Sequence, residues 1–214
     1  MVESLNKKDI FEADHKVMVV IASPGEPYLK SVLDDAKRSV KFAERYGFKV
    51  HQFIDGDAKQ SALNLFFNSQ EKACIEHASK KNKGKFFFVV YYSGHGSSAN
   101  QNTEVIIKDD ENNFVRYPLA VKVRNFRNNN PKNAFVFAVF DCCRNDPKLK
   151  RGSELIVQDI AKGDQDEEYE EYQAGDANLV IVSSCVPTKV TNVSDRFTFA
   201  LFEFLEKNES KDTK

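Results

Sequence analysis

The sequence predicts an α/β domain in which a mostly parallel sheet carries helices on both faces. Two observations predict this class. Short apolar runs alternate along the chain with amphipathic segments of helical spacing, and the runs are nearly continuous instead of alternating apolar with polar residues. Continuous apolar runs are typical of parallel strands that are buried on both faces. A chain of 214 residues has the length for one such domain with one core.

Five short segments are predicted to be strands because they are apolar and rich in β-branched or aromatic residues. In chain order they are residues 16–22, 48–54, 85–93, 134–140 and 178–183. The third, KFFFVVYYS, is the strongest of them. Residues 103–107 and 114–117 indicate a hairpin, because the polar segment DDENN lies between them.

Amphipathic spacing predicts four helices. In the first, residues 31–46, the side chains of Val32, Ala36 and Val40 share one face, and Gly47 ends the helix. The other predicted helices are residues 59–80, 118–128 and 195–207.

These elements predict one domain over residues 16–207, with an N-terminal tail of residues 1–15 and a C-terminal tail of residues 208–214. Residues 144–177 form the one long predicted loop. Six of the eight residues in its segment DQDEEYEE are acidic, a composition typical of solvated, flexible chain.

The charge balance excludes some classes of partner. Lys and Arg number 31 and Asp and Glu number 32, so the net charge of −1 argues against a nucleic acid or an anionic membrane as the main partner. No apolar run is long enough to span a bilayer, and the first residues lack the apolar block of a secretory signal. We therefore expect a cytoplasmic or nuclear protein whose four cysteines are thiols.

Two reactive side chains follow predicted strands. The third strand ends in YYSGHG, which contains His95, and the fourth is followed by DCCR, which contains Cys142 and Cys143. The carboxyl ends of parallel strands meet at one edge of a sheet, where functional residues lie. A histidine beside a thiol supports nucleophilic catalysis, because the imidazole takes the thiol proton and later protonates the leaving amine.

YYSGHG, followed by an apolar strand and DCCR, resembles the caspase-fold cysteine peptidases, specifically metacaspases and paracaspases. His95 and Cys143 are 48 positions apart, which fits the caspase-type spacing. The resemblance covers about residues 17–205 and implies a caspase-like three-layer sandwich with six strands. It also implies a catalytic dyad of His95 and Cys143, with the backbone amides of Gly96 and Cys143 as the oxyanion hole.

The choice between the two cysteines has a physical basis. Side chains alternate at a strand end, so only one of Cys142 and Cys143 can face the histidine, and the other is expected to pack into the sheet. The D-x-C-R pattern of paracaspases matches Asp141 to Arg144 and selects Cys143. Asn145 departs from the H-S-G continuation of metacaspases, so the subgroup stays open.

The resemblance further implies a substrate pocket that binds Arg or Lys at P1, the residue before the scissile bond. Asp141, Asp35 and Ser93 match the residues that line this pocket in the family. A pair of carboxylates can bind a guanidinium through two hydrogen bonds. The alternative is that Asp34 or Asp35 only stabilises the amino terminus of the helix. Lys189 is a departure, because paracaspases carry a further acid near that place.

The long loop, residues 144–177, has three open interpretations: a solvated linker, a Ca²⁺-binding segment, or a self-inhibiting segment over the pocket. Its sequence lacks the spacing of an EF-hand. Self-cleavage near Arg151 is a further hypothesis, because KLKRG offers basic residues there. The sequence requires no cofactor, and the spacing of its histidines and cysteines predicts no metal site.

The sequence therefore predicts a cysteine endopeptidase whose partners are protein or peptide substrates with a basic P1 residue, as a monomer or a homodimer. A catalytically silent caspase-fold scaffold that binds protein partners is the main alternative. A caspase specific for Asp is disfavoured, because Asp141 would repel an acidic substrate.

Overall fold

The computed structural model describes residues 15–79, 86–99, 102–130, 134–142 and 179–184. In chain order the elements are β1 (His15–Ser23), α1 (Ser31–Arg45), β2 (Lys49–Ile54), α2 (Gln60–Ser79), β3 (Phe86–Gly94), β4 (Gly96–Ala99), β5 (Asn102–Lys108), β6 (Phe114–Tyr117), α3 (Leu119–Asn129), β7 (Ala134–Cys142) and β8 (Leu179–Ser183). A short 3-10 turn, Asp55–Asp57, connects β2 to α2.

The main sheet has the strand order β2-β1-β3-β7-β8, and all of its strands run parallel. The predicted α/β class and the mostly parallel sheet are confirmed. The described residues contribute five strands to this sheet, one fewer than the six expected from the resemblance. Because each parallel connection returns the chain to the same end of the sheet, β1, β3 and β7 all finish at one edge.

Two hydrophobic clusters place helices on opposite faces of the main sheet. One face packs against α1 through residues such as Val20, Ala36 and Val89. The other packs against α2 and α3 through residues such as Leu63 and Val123. Every residue of β3 is buried, which fits a central strand covered on both sides.

Phenylalanine rings fill much of the core on the α2 and α3 side. Phe88 packs against Phe126 with ring centroids 4.7 Å apart, and against Phe67 edge to face. The chain has 18 Phe and no Trp, and these rings supply the large apolar area that the two-sided sheet must cover.

A second, antiparallel sheet has the order β4-β5-β6. The predicted hairpin is confirmed as β5 and β6, and β4 is an additional strand that the sequence pattern does not indicate. Asp109 closes the hairpin turn by accepting the backbone N–H groups of Glu111 and Asn113 at 2.9 and 2.8 Å. Asn112 has a φ of 67°, which asparagine adopts more readily than most residues.

The predicted bounds of the first three helices are confirmed to within one or two residues. The chain leaves α1 through Gly47, whose φ of 72° is in the left-handed region. The predicted helix at 195–207, the loop at 144–177 and both predicted tails lie outside the described residues, apart from His15. Among the helices that the structure describes, none is both long and apolar enough to cross a membrane.

Candidate active site

His95 lies between β3 and β4, at the carboxyl edge of the main sheet. Its Nε2 atom is 2.8 Å from the carbonyl oxygen of Pro27 in the loop after β1. A carbonyl oxygen can only accept, so this contact assigns the proton to Nε2 and leaves the lone pair of the neutral ring on Nδ1. The ring is therefore oriented to take a proton at Nδ1.

Gly25 lies directly against the His95 ring. A Cβ atom built on Gly25 would collide with Cδ2 of His95, and the φ of Gly25 is 66°, a conformation that L side chains rarely adopt. Steric space and backbone conformation thus both require glycine here. The segment SPGEP, which follows β1, thus provides one wall of the site and the acceptor for Nε2.

The backbone of His95 is held as firmly as its ring. Its carbonyl oxygen accepts the N–H of Ile106 at 2.9 Å and the hydroxyl of Tyr92 at 2.6 Å. Gly94, which lies between Tyr92 and His95 in the sequence, has a φ of 151°. A Cβ atom on it would lie 2.6 Å from the Tyr92 hydroxyl oxygen and would also collide with the carbonyl oxygen of Ser23. Glycine at this position lets the chain curve around the tyrosine hydroxyl.

Asp35 and Ser93 meet in the buried space between α1 and the sheet. Ser93 Oγ is 3.3 Å from Asp35 Oδ2, and the two residues are only 2% and 4% exposed. Arg38, one turn along α1, has its NH1 atom 3.9 Å from Asp35 Oδ1. Ser39 donates to the backbone oxygen of Asp35 at 2.8 Å. A buried carboxylate therefore lies under the sheet edge, bordered by a hydroxyl and a guanidinium.

Asp141 lies beside Ser93 on the neighbouring strand. In the β3–β7 register Ser93 pairs with Asp141, and paired residues of parallel strands point to the same face. That face is the one covered by α1, which carries Asp35. The structure thus places the three predicted pocket residues on one face at the carboxyl edge.

Asp34, not Asp35, is the acidic residue in the first turn of α1, and it is exposed and paired with Lys37 at 3.2 Å. A favourable interaction with the helix dipole therefore accounts for Asp34. It does not explain the burial of Asp35 or its contact with Ser93.

Cys142 is the last residue of β7, is 3% exposed and packs into the cluster on the α2 and α3 side. It points away from the face that carries Asp141, because side chains alternate along a strand. Cys143 follows β7 directly and lies outside the described residues, as do Asn145, Arg151 and Lys189. Gly96, the other predicted oxyanion-hole residue, is the first residue of β4.

Burial raises the pKa of three other titratable groups near the core. It raises the pKa of Cys74 to about 11, against a smaller lowering by the nearby charge of Arg127. Burial raises the pKa of Tyr92 well above its usual range, with a further contribution from Cys142, against a lowering by the hydrogen bond to the Ile106 carbonyl. Burial also raises the pKa of Tyr117. Cys74 is thus a poor nucleophile at neutral pH, and Tyr92 remains a hydrogen-bond donor.

No cluster of three or more metal-ligating side chains is present within the part of the chain that the structure describes. The acidic segment of residues 144–177, for which Ca²⁺ binding is an open interpretation, lies outside that part.

Sequence reasoning missed three groups at this site. The Pro27 carbonyl is a backbone atom, which every residue carries, so no residue type indicates its role. Tyr92 lies in an apolar strand and is indistinguishable by sequence from a core aromatic. Ile106 acts through its backbone N–H, which only the pairing of β4 with β5 brings to His95.

The fold and this site define an α/β sandwich with a histidine, a buried carboxylate and a cysteine-bearing strand end at the carboxyl edge of a parallel sheet. The family described as caspase domain matches residues 19–211 of the chain. The protein therefore belongs to the caspase-domain family of cysteine peptidases. No curated protein matches the sequence.

Proposed function

We propose that the protein is a cysteine endopeptidase of the metacaspase and paracaspase group, which hydrolyses peptide bonds after Arg or Lys. The observation that carries this proposal is the buried Asp35 carboxylate, 3.3 Å from Ser93 and on the same sheet face as Asp141. A buried carboxylate with a second one on the same sheet face attracts a cationic side chain and repels an acidic one. Peptides with P1 Asp are therefore expected to be poor substrates.

In the proposed mechanism, Nδ1 of His95 takes the proton of the Cys143 thiol, and the thiolate sulfur attacks the scissile carbonyl carbon. The Pro27 carbonyl, 2.8 Å from Nε2, keeps the ring in this orientation and stabilises the imidazolium that forms. The backbone amides of Gly96 and Cys143 stabilise the oxyanion of the tetrahedral intermediate.

The intermediate collapses when the C–N bond breaks and Nδ1–H of His95 protonates the departing amine. This leaves an acyl-enzyme, a thioester between Cys143 and the P1 residue. His95 then takes a proton from a water molecule, which attacks the thioester carbonyl. Collapse of the second intermediate breaks the C–S bond and releases the product acid, which loses its proton to water and becomes a carboxylate. The proton that His95 took from the attacking water stays on the pair of Cys143 and His95, which restores the free enzyme.

Cys143 as the nucleophile agrees with the position of its neighbour. Cys142 is buried on the opposite face of the sheet, in the cluster formed with α2 and α3. The D-x-C-R pattern and the alternation of side chains both then favour Cys143.

The proposal also includes processing and cofactor use. The enzyme cleaves itself near Arg151, in the loop at 144–177. It needs no tightly bound cofactor, and Ca²⁺ is the cation whose effect on activity should be tested. The proposed location is the cytoplasm.

The test is hydrolysis of matched fluorogenic peptides that differ only in P1, as Arg, Lys or Asp, with and without millimolar Ca²⁺. Cys143→Ala is the inactive variant, and Cys142→Ala is its matched control. We expect cleavage after Arg and Lys that Cys143→Ala abolishes and Cys142→Ala retains. Preference for Asp would overturn the acidic pocket, and loss of activity in Cys142→Ala alone would overturn the choice of nucleophile.

Thiol alkylation separates an enzyme from a silent scaffold. In an active enzyme one thiol, Cys143, reacts with iodoacetamide far faster than buried Cys74 at neutral pH. Equally slow alkylation of all thiols, with no cleavage of any peptide, would support the scaffold. Appearance of cleaved chain in wild type but not in Cys143→Ala tests self-cleavage, and clipping that persists in the variant would contradict it.

A further inference from the structure

The hydrogen bond from Tyr92 to the His95 backbone indicates a role for Tyr92, a residue that takes no part in the proposed chemical steps. Tyr92 is the third residue before His95, and its hydroxyl oxygen lies 2.6 Å from the His95 carbonyl oxygen. The same hydroxyl is 3.0 Å from the carbonyl oxygen of Ile106. With one proton to donate, Tyr92 has the shorter contact with His95.

We propose that Tyr92 is a positioning residue for His95, holding its peptide group so that the imidazole stays aligned between Pro27 and the nucleophile. This inference rests on the proposed role of His95 as the proton carrier. It assigns Tyr92 no contact with substrate and no part in proton transfer.

Three hydrogen bonds connect His95, Tyr92 and Ile106 to one another. Ile106 donates its N–H to the His95 carbonyl oxygen at 2.9 Å, and its own carbonyl oxygen faces the Tyr92 hydroxyl. Tyr92 belongs to β3 in the main sheet and Ile106 to β5 in the second sheet. The His95 carbonyl is therefore fixed from both sheets at once, and Tyr92 is the side chain that connects them.

The local backbone is built around this hydroxyl. Gly94 adopts a φ of 151°, and a Cβ there would lie 2.6 Å from the Tyr92 oxygen. Tyr92 is fully buried, so its hydroxyl has no access to bulk water and depends on these two carbonyl groups for a partner. Its high pKa keeps the donating proton in place throughout the range in which the enzyme would work.

The consequence for catalysis follows from geometry. The His95 side chain is held at its ring by the contact between Nε2 and Pro27, and at its backbone by the hydrogen bonds to the His95 carbonyl oxygen. Loss of the hydrogen bond from Tyr92 would let Nδ1 move relative to the Cys143 thiol. A displacement of about 1 Å in a reacting group can lower a rate by about 100-fold. For the loss of one of two donors we expect an intermediate effect, about 10-fold in kcat with KM within about 2-fold.

The experiment compares Tyr92→Phe with Tyr117→Phe. Tyr117 is also fully buried and donates its hydroxyl to Asn64 Oδ1 at 3.1 Å, in contact with α2 instead of His95. Each variant removes one buried hydroxyl that has a partner, so both are expected to lower stability by a similar amount. Only Tyr92→Phe is expected to lower kcat.

A second readout requires no turnover. In the wild type the Nε2–H of His95 is expected to exchange more slowly with water than the N–H of a free imidazole, because the Pro27 carbonyl accepts it. Tyr92→Phe is expected to speed that exchange by about 10-fold or more, the size expected if the bond opens about 1.4 kcal/mol more easily. Tyr117→Phe should leave it unchanged. This readout stands even when no peptide is cleaved, so failure of the proposed function and failure of this inference are separate results.

Three results would overturn the inference. The first is an unchanged His95 signal in Tyr92→Phe, and the second is an equal loss of kcat in the Tyr117→Phe control. The third result can be obtained on the wild-type protein, so it is available even if Tyr92→Phe does not fold. The hydroxyl proton of buried Tyr92 should exchange with water far more slowly than that of exposed Tyr28. Equal exchange of the two hydroxyl protons would show that Tyr92 makes no persistent bond to His95.

Discussion

The Nε2 atom of His95 lies 2.8 Å from the carbonyl oxygen of Pro27, 68 positions earlier in the chain. This contact joins the end of β3 to the loop after β1, two neighbouring strands that finish at the same edge. It gives the proposed dyad a third member, a backbone carbonyl that takes the orienting role which a carboxylate has in other catalytic triads. Because a carbonyl cannot be protonated at neutral pH, the ring keeps Nδ1 as its basic atom.

Gly25→Ala tests the wall behind His95. The added methyl group would collide with Cδ2 of His95, and alanine is strained at a φ of 66°. We expect kcat/KM to fall by about 100-fold because the ring must move away from Pro27. The matched control is Gly56→Ala, since a Cβ on Gly56 would meet no atom within 4 Å. Equal activity of the two variants in the peptide assay would show that the ring is not constrained by Gly25.

Asp35→Asn tests the charge of the proposed pocket. The substitution keeps the size of the side chain but removes its charge, so a P1 cation loses a buried partner. We expect kcat/KM for P1 Arg to fall by about 30- to 100-fold, as for one charged hydrogen bond lost from a buried site. A peptide with a neutral P1 Gln should lose much less. Asp34→Asn, at an exposed position paired with Lys37, is the control, and a similar loss there would contradict the assignment.

The sequence predicts the fold well because apolar periodicity records which faces are buried. The strands and the first three helices lie within one or two residues of their predicted bounds. The exception is β4, whose segment GSSA has neither apolar alternation nor β-branched residues. Its strand conformation arises from backbone pairing with β5, a tertiary contact that local composition does not encode.

The candidate site is predictable only where a residue type carries its chemistry. The motif YYSGHG identifies His95, and the resemblance to metacaspases and paracaspases implies Asp35 and Asp141; the structure places all three at one sheet edge. The supporting atoms are backbone groups and one aromatic hydroxyl, and these depend on the three-dimensional path of the chain. The role of Gly25 depends on where His95 lies above it.

Arg38→Gln tests whether a cation of this chain competes for the pocket. Arg38 has its NH1 atom 3.9 Å from Asp35 Oδ1, so a P1 guanidinium must share or displace that interaction. We expect Arg38→Gln to lower KM for P1 Arg by about 3-fold, a small effect because Arg38 is partly exposed and solvent screens its charge. Lys37→Gln removes the same charge from the next position of α1, where the partner is Asp34. An equal fall in KM in that control would indicate a general charge effect.

Alkaline pH tests the buried neutral groups of the core. Burial raises the pKa of Cys74 from an ordinary value of 9.0 to about 11, and it raises the pKa of Tyr92 and Tyr117 as well. The folded state therefore holds these protons more tightly than the unfolded state. The resulting stabilisation is complete below the unfolded pKa and is lost as pH rises toward the folded pKa.

For Cys74 this loss falls between pH 9.0 and about 11. We expect ionisation of Cys74 to lower the free energy of unfolding by about 1–2 kcal/mol as the pH rises through that window. Urea unfolding in steps from about pH 8 to about pH 11 measures the effect. Cys74→Ala should make the decline shallower, leaving the part caused by the two tyrosines and by surface lysines. A decline of the same slope in Cys74→Ala would show that the thiol is not protected from ionisation by burial.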